Sequence, residues 1–189
     1  MRIAIFGGSF DPIHIAHVAI VKKALISLEI DKLIVVPTYL NPFKSDFHFE
    51  PKVRFELLKK VFFNYKNVEI SDFEINQHEA TFSIKTVKYL KNLYSTSKIY
   101  FIIGEDNLKY LNKWHNINEL KELVEFVVAT RNGFENESPE KFKRLDIDID
   151  ISSTILRDNI DFKYIPVEIK DDILNLKNKE KGKSFWIQD

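Results

Sequence analysis

The chain has 189 residues, with 28 Lys and Arg against 28 Asp and Glu, no cysteine, 44% hydrophobic and 30% charged residues. This describes one globular domain over 1–189, with 176–189 as a charged tail, and it excludes a disulfide scaffold, a thiolate metal site and the disordered or fibrous classes. A net charge of zero removes the basic excess on which non-specific nucleic-acid or membrane-surface binding depends, so no nucleic acid and no membrane is expected as a partner and any anion must be met locally.

The chain opens on an apolar run, Met1 to Phe6, that reaches Gly7-Gly8 too soon for a signal-peptide core or a membrane span, and a cytoplasmic location is expected. Arg2 to Phe6 predicts the first strand. His14 to Leu28 predicts a helix, with Val18, Val21, Leu25 and Leu28 at helical spacing. Lys32 to Val36 predicts a second strand. Pro51 to Phe63 predicts a second helix on Val53, Leu57, Leu58 and Val61, and Asn67 to Ser71 a weaker, partly alternating strand. Phe82 to Leu93 carries Ile84, Val87, Leu90 and Leu93 on one helical face. Lys98 to Ile103 and Glu125 to Ala129 are strands flanking a shorter helix over Asn116 to Leu123. Phe134 to Lys143 reads as a polar loop, and Lys177 to Lys183 as a solvated terminus. Continuous apolar strands alternating with amphipathic helices predict an α/β fold, a Rossmann-like doubly wound parallel sheet with helices on both faces. Such sheets bind ligands beyond the carboxyl ends of their strands.

Glycine is the scarce residue: five stand where about 13 would be usual at ~7%. Gly7, Gly8, Gly104 and Gly133 fall at or just beyond predicted strand ends, and Gly182 lies in the tail. After the first strand, Gly7-Gly8-Ser9-Phe10-Asp11-Pro12-Ile13-His14-Ile15-Ala16-His17 places two small residues before a helix whose open N–H groups and dipole favour an anion. His14 and His17 share one face of that helix and can both donate to one bound anion. Ile151-Ser152-Ser153-Thr154-Ile155-Leu156-Arg157 repeats the logic: Ser152 or Ser153 can cap a helix, hydroxyls and N–H groups suit phosphate oxygens, and Arg157 adds a charged fork about one turn on. His48 and His78 stand in polar stretches and read as exposed rather than functional.

The first string resembles the G-x-F-D-P-x-H-x-x-H signature of the nucleotidylyltransferase superfamily, and the second its I-S-S-T-x-x-R element. Within that superfamily, Gly104-Glu105-Asp106 followed by Trp114-His115, Phe82-Ser83-Ile84-Lys85-Thr86, Asn41-Pro42-Phe43-Lys44, Thr130-Arg131-Asn132-Gly133 and Tyr164-Ile165-Pro166-Val167 resemble segments of the nicotinate-nucleotide adenylyltransferase (NadD) family over residues 1 to about 175. Ala16, Phe82 and Ser83 stand where that family usually has Gly, Tyr and Thr, and Asn159 to Phe162 is shorter than in the family.

The resemblance implies in-line attack of nicotinate mononucleotide on the α-phosphorus of ATP, giving the deamido dinucleotide and pyrophosphate. It places His14 and His17 on the α-phosphate and leaving pyrophosphate, Gly7, Gly8, Ser9 and Phe10 on backbone contacts, and Ser152, Ser153, Thr154 and Arg157 at the far phosphates. Gly104 and Asp106 would meet a ribose. Lys44 and Arg131 would hold the mononucleotide phosphate or bridge the substrates. Trp114 would stack on the pyridine ring beside Phe82, with N–H groups around Ser83 and His115 on its carboxylate. Mg2+ would come with ATP, no metal ligand is named, and a homo-oligomer is left open. Phosphopantetheine adenylyltransferase is the alternative enzyme of the superfamily, against which the Gly104 to His115 segment speaks. A non-catalytic nucleotide-binding module is disfavoured by the presence of both histidines, Lys44 and Arg157.

Overall fold

The computed structural model describes residues 1–131 and 142–184; of Arg131 and residues 179–184 only the backbone is described. In chain order the elements are β1 (Arg2–Gly8), α1 (Ile15–Ser27), β2 (Lys32–Pro37), α2 (Pro51–Phe62), β3 (Val68–Ile70), α3 (Ser83–Tyr94), β4 (Lys98–Gly104), α4 (Ile117–Leu123), β5 (Glu125–Arg131), β6 (Lys143–Ile147), α5 (Ser153–Asp158) and α6 (Lys170–Ser184). The strands form one six-stranded sheet in the order β3-β2-β1-β4-β5-β6, and every pair is parallel.

Alternation within the apolar strands explains why helices cover both faces. Ala4, Phe6, Leu33, Val35, Tyr100 and Ile102 point to a core shared with Val21 and Ala24 of α1, Leu57, Leu58 and Val61 of α2, and Ile169 and Ile173 near the C-terminus. Ile3, Ile5, Ile34, Val36, Ile99, Phe101 and Ile103 point to the other, shared with Ile84, Val87 and Leu90 of α3 and Leu120 of α4. Strands buried on both sides need no polar alternation, hence their unbroken apolar runs.

Several expectations are corrected. Val18 and Leu25 of α1 are only half-buried, and Leu93 at the end of α3 is exposed. Lys143, the last residue of the expected loop, opens a sixth strand whose other residues, Arg144 to Ile147, the sequence pattern assigns to no element. Glu105–Lys113, to which the sequence pattern assigns no element, winds into 3-10 turns. Lys177 to Lys183, expected as a solvated terminus, has the helical backbone of α6. Residues 132–141, including Asn132, Gly133 and most of the Phe134 to Lys143 loop, lie outside the described residues, as do 185–189.

The order 3-2-1-4-5-6 sends the chain to opposite sides of β1, so a crevice opens where β1 and β4 diverge. Their pairing runs through Phe6 and Ile102, two residues short of Gly8 and Gly104. Both glycines thus stand at the mouth of that crevice.

Candidate active site

A cleft of about 1220 Å³ opens over this point. Its wall includes Gly7, Gly8, Ser9, Phe10, His14 and His17 from β1 and α1, and Lys44 from the loop after β2. Phe82 and Ser83 come from the start of α3, and Gly104, Asp106, Trp114 and His115 from the segment after β4. Ser152, Ser153 and Thr154 complete it from the start of α5. Arg157 is not part of that wall. Its guanidinium lies behind, donating from Nη1 to the Asp11 carbonyl at 2.9 Å and from Nη2 to Thr154 Oγ1 at 2.9 Å. The Arg131 side chain lies outside the described residues.

The turn after β1 is held by its own residues. Phe10 has φ 48°, a left-handed backbone that costs a non-glycine residue energy. Its ring is buried, edge-on to Phe6 at 5.3 Å and to His17 at 5.0 Å. A Cβ at position 8 would approach that ring to 3.2 Å, so Gly8 lets the turn close over Phe10. The Asp11 carboxylate, 3% exposed, accepts from the N–H groups of His48 at 2.7 Å and Phe49 at 2.8 Å, fixing the approach to α2. His48 and His78 are exposed, as expected, and His48 contributes here through its backbone.

His14 is the N-cap of α1, and its ring stacks on that of His17 at 3.7 Å. The His14 backbone N–H donates to His17 Nδ1 at 3.2 Å. Because Nδ1 accepts, a neutral His17 carries its proton on Nε2, which is then a donor. Two imidazoles in one stack at a helix N-terminus form a donor surface suited to an anion that gains charge.

Ser152 caps α5 by accepting from Ile155 N–H at 3.3 Å, and Ser153 Oγ donates to the Pro12 carbonyl at 3.0 Å. With the Arg157 bond to Asp11, this seats the serine-rich element directly on the turn after β1, though 141 residues separate Ser153 from Pro12. Lys44 completes a convergence of cations. Its ammonium pKa is lowered by burial and then by repulsion from Arg157, with Asp11 opposing. Cations that repel one another in this way are relieved by an arriving polyanion.

Arg54 is the residue the sequence reading missed. It is 1% exposed and donates to four backbone carbonyls: Phe49 at 2.9 Å, Ser9 at 2.6 Å, Thr38 at 2.7 Å and Tyr39 at 2.8 Å. It therefore ties the loops after β1 and β2 to the start of α2. A signal was available, since Arg54 stands one helical turn before the buried Leu57 and Leu58 and two before Val61, where an apolar residue would be usual.

The opposite end of the cleft is aromatic. Phe82, 47% exposed, stacks on His115 with centroids 4.5 Å apart and planes 23° apart. Trp114 stands edge-on against Phe101 at 6.2 Å and Phe126 at 6.4 Å, half-buried, so its indole is both packing and cleft wall. At Gly104 a Cβ would come within 2.5 Å of Asp106 Oδ1, so the glycine lets that carboxylate fold back against the strand end. Asp106 is exposed there, able to accept from a hydroxyl.

The cytidylyltransferase-like family model matches residues 5–159. A protein of Aliarcobacter butzleri, named a probable nicotinate-nucleotide adenylyltransferase, is 67% identical over 97% of this chain and 99% of its own. One of Nitratiruptor, named likewise, is 48% identical over 92% and 97%. Among solved structures, the Plasmodium falciparum nicotinic acid mononucleotide adenylyltransferase complexed with NaAD superposes with a TM-score of 0.76 at 25% identity, covering 93% of this chain and 95% of that one.

Proposed function

The chain belongs to the nicotinate-nucleotide adenylyltransferase family, and we propose that the cleft over β1 and β4 is where it joins ATP and nicotinate mononucleotide into nicotinate adenine dinucleotide and pyrophosphate. The observation that carries this reading is the seating of α5 on the turn after β1, through Ser153 to Pro12 and Arg157 to Asp11. It gathers the two phosphate-suited elements, from opposite ends of the chain, beside one stacked pair of histidines.

In this reading a phosphate oxygen of the mononucleotide forms a bond to the α-phosphorus of ATP while the bond to the bridging oxygen of the β-phosphate breaks in line. The nucleophile is already an anion, so no general base is required, and the rate comes from alignment and from stabilising charge on the α-phosphoryl oxygens and the leaving pyrophosphate. His14 and His17 supply that stabilisation from the α1 N-terminus. Backbone groups of Gly7, Gly8, Ser9 and Phe10 let the nucleotide lie close. Ser152, Ser153 and Thr154 meet the far phosphates, with Arg157 acting from behind Thr154, and Lys44 and Arg131 meet the mononucleotide phosphate. Gly104 and Asp106 face a ribose. Phe82, Trp114 and His115 enclose the pyridine ring, whose carboxylate meets the N–H groups at Ser83. Mg2+ is part of the ATP substrate here. Among the described residues no group of three or more acidic or histidine side chains is placed to hold a metal, and no step is assigned to one.

Pyrophosphate release from ATP with nicotinate mononucleotide tests the reading. Turnover is expected. Binding of both nucleotides without turnover would leave only a nucleotide-binding module, and faster turnover with 4'-phosphopantetheine would transfer the assignment to the alternative enzyme.

A further inference from the structure

Glu74 has no part in the reaction as described, yet it stands in the cleft wall with Thr81, Phe82, Ser83 and Thr86. It is the N-cap of a 3-10 turn over Ile75–Gln77, between β3 and α3, and is 5% exposed. Oε1 accepts from Thr86 Oγ1 at 2.6 Å, while Oε2 is buried with no hydrogen-bond partner. Thr86 lies one turn inside α3, whose N-cap, Phe82, offers no side-chain hydrogen bond to the first-turn N–H groups. A buried carboxyl with one free oxygen therefore borders the helix start where the proposed function seats the pyridine carboxylate.

Two carboxylates cannot share a small, poorly hydrated space with both ionised. If Glu74 is neutral, Oε2–H is a donor and the neighbouring acid is tolerated; if it is ionised, the neighbouring acid is repelled and an amide N–H is preferred. We propose that Glu74 is a specificity-determining residue of the pyridine half of the cleft, which must hold a proton for a pyridine carboxylate to bind and which favours the carboxamide once ionised. This rests on the adenylyltransferase reading.

Burial raises the pKa of Glu74 from the usual carboxyl range to about 7, and the Thr86 hydroxyl acts in the opposite direction. The titratable groups beside it are Asp72, His78 and Glu79 on its own segment, Lys85, Lys88, Tyr89, Lys91 and Tyr94 on α3, and Lys44 and His115 in the same cleft wall. Lys85 is taken up by Gln77 at 2.8 Å and Glu79 at 3.9 Å. The proton on Glu74 is thus governed by burial and Thr86, and solvent supplies it when the acid binds.

Calorimetric titration of the full chain with nicotinate mononucleotide and with nicotinamide mononucleotide, from pH 6.5 to 8.5 in two buffers of unlike ionisation enthalpy, reads this directly. Both ligands carry the same phosphate, so its titration cancels in their difference. The wild type should take up an extra proton with the acid only, its affinity for the acid falling by up to about tenfold per pH unit above the break. Glu74→Gln should abolish the extra uptake and flatten the acid-to-amide ratio against pH. Thr86→Val, which removes the hydroxyl that favours the ionised form, should move the break to higher pH, and it carries the test if Glu74→Gln does not fold. Equal uptake for acid and amide, persistence of the difference in Glu74→Gln, or an unmoved break in Thr86→Val would overturn the proposal and leave the enzyme assignment standing. Failure of the wild type to bind the acid at any pH would remove the assignment itself.

Discussion

At the β1 end of the cleft most polar groups are held by one another, Asp11 by two N–H groups, the loop carbonyls by Arg54, and Arg157 by Asp11 and Thr154, with Thr38 Oγ1 buried without a partner. At the α3 and Trp114 end, Glu74 Oε2, Glu105 Oε1 and Trp114 Nε1 are buried without a protein partner, and the exposed surface is aromatic. The difference teaches how one cleft can handle two unlike ligands. Phosphates repel one another and need donors fixed before they arrive, because any reorganisation then is charged against the transition state. A flat heteroaromatic ring needs area and a few polar groups, which its own atoms can complete. The prebuilt end suits chemistry, and the incomplete end suits selection.

Arg54 gives the most severe way to break this contrast. Arg54→Ala leaves four carbonyls without their donor beneath the turn after β1, and each buried acceptor left unsatisfied costs about 1–3 kcal/mol. Chemical denaturation should show that loss, with Arg54→Lys intermediate because an ammonium cannot reach four acceptors in the guanidinium's plane. Loss of under about 1 kcal/mol would mean that the loops after β1 and β2 hold themselves.

His14→Ala and His17→Ala come next. Donors aimed at charge that develops in the transition state act on kcat, so each should lower kcat by about 100-fold or more with modest change in KM. His14 and His17 cap the start of α1 reciprocally, so both variants should also lower Tm. Unchanged kcat in either would remove that histidine from the chemistry.

How far the two ends were legible in sequence follows from the same contrast. The β1 end was written in contiguous residues: glycines after an apolar strand, two histidines three apart, a capping serine before an arginine. What the string did not show was inward use. Arg157 faces Asp11 and Thr154 rather than the cavity, and Asp11 serves the backbone of residues 48 and 49. Of the fold, β1, β2, β4 and β5 were plain because strands buried on two faces are apolar throughout. The edge strand β6 was not, because only Leu145 and Ile147 of its five residues face inward and the rest are charged. Glu105–Lys113 carries too few apolar residues to show a period, with Leu111 alone deeply packed among them. Glu74 had no sequence signature, since its burial is created by the packing of the β3–α3 segment on α3.

Glu74 sharpens the contrast without any ligand. Its pKa is about 7 in the folded protein and near 4.5 when exposed. The folded state therefore binds more protons between those values, and stability falls as pH rises from 4.5 to 7 and stays reduced above. The penalty above pH 7 is on the order of 3 kcal/mol, and Glu74→Gln should lift it. Denaturation at pH 5 and pH 8 checks this: the variant should gain on the wild type at the higher pH, and equal differences at both would remove the buried carboxyl as the cause.

The smallest effect is expected at Trp114, and it separates the two ends most selectively. The indole rests edge-on against Phe101 and Phe126, so Trp114→Ala loses packing as well as a stacking face, and a fall in Tm alone decides nothing. Trp114→Phe keeps an aromatic ring on that support and is the control for packing. If the ring's exposed face binds pyridine, the loss of roughly 1–2 kcal/mol of stacking should raise KM for the mononucleotide about tenfold in Trp114→Ala and less in Trp114→Phe. KM for ATP should stay within about twofold in both if the phosphates sit at the β1 end, on residues that Trp114 does not touch. A selective rise in KM for ATP instead would place the adenine at the aromatic end and reverse the assignment of the two nucleotides to the two halves of the cleft.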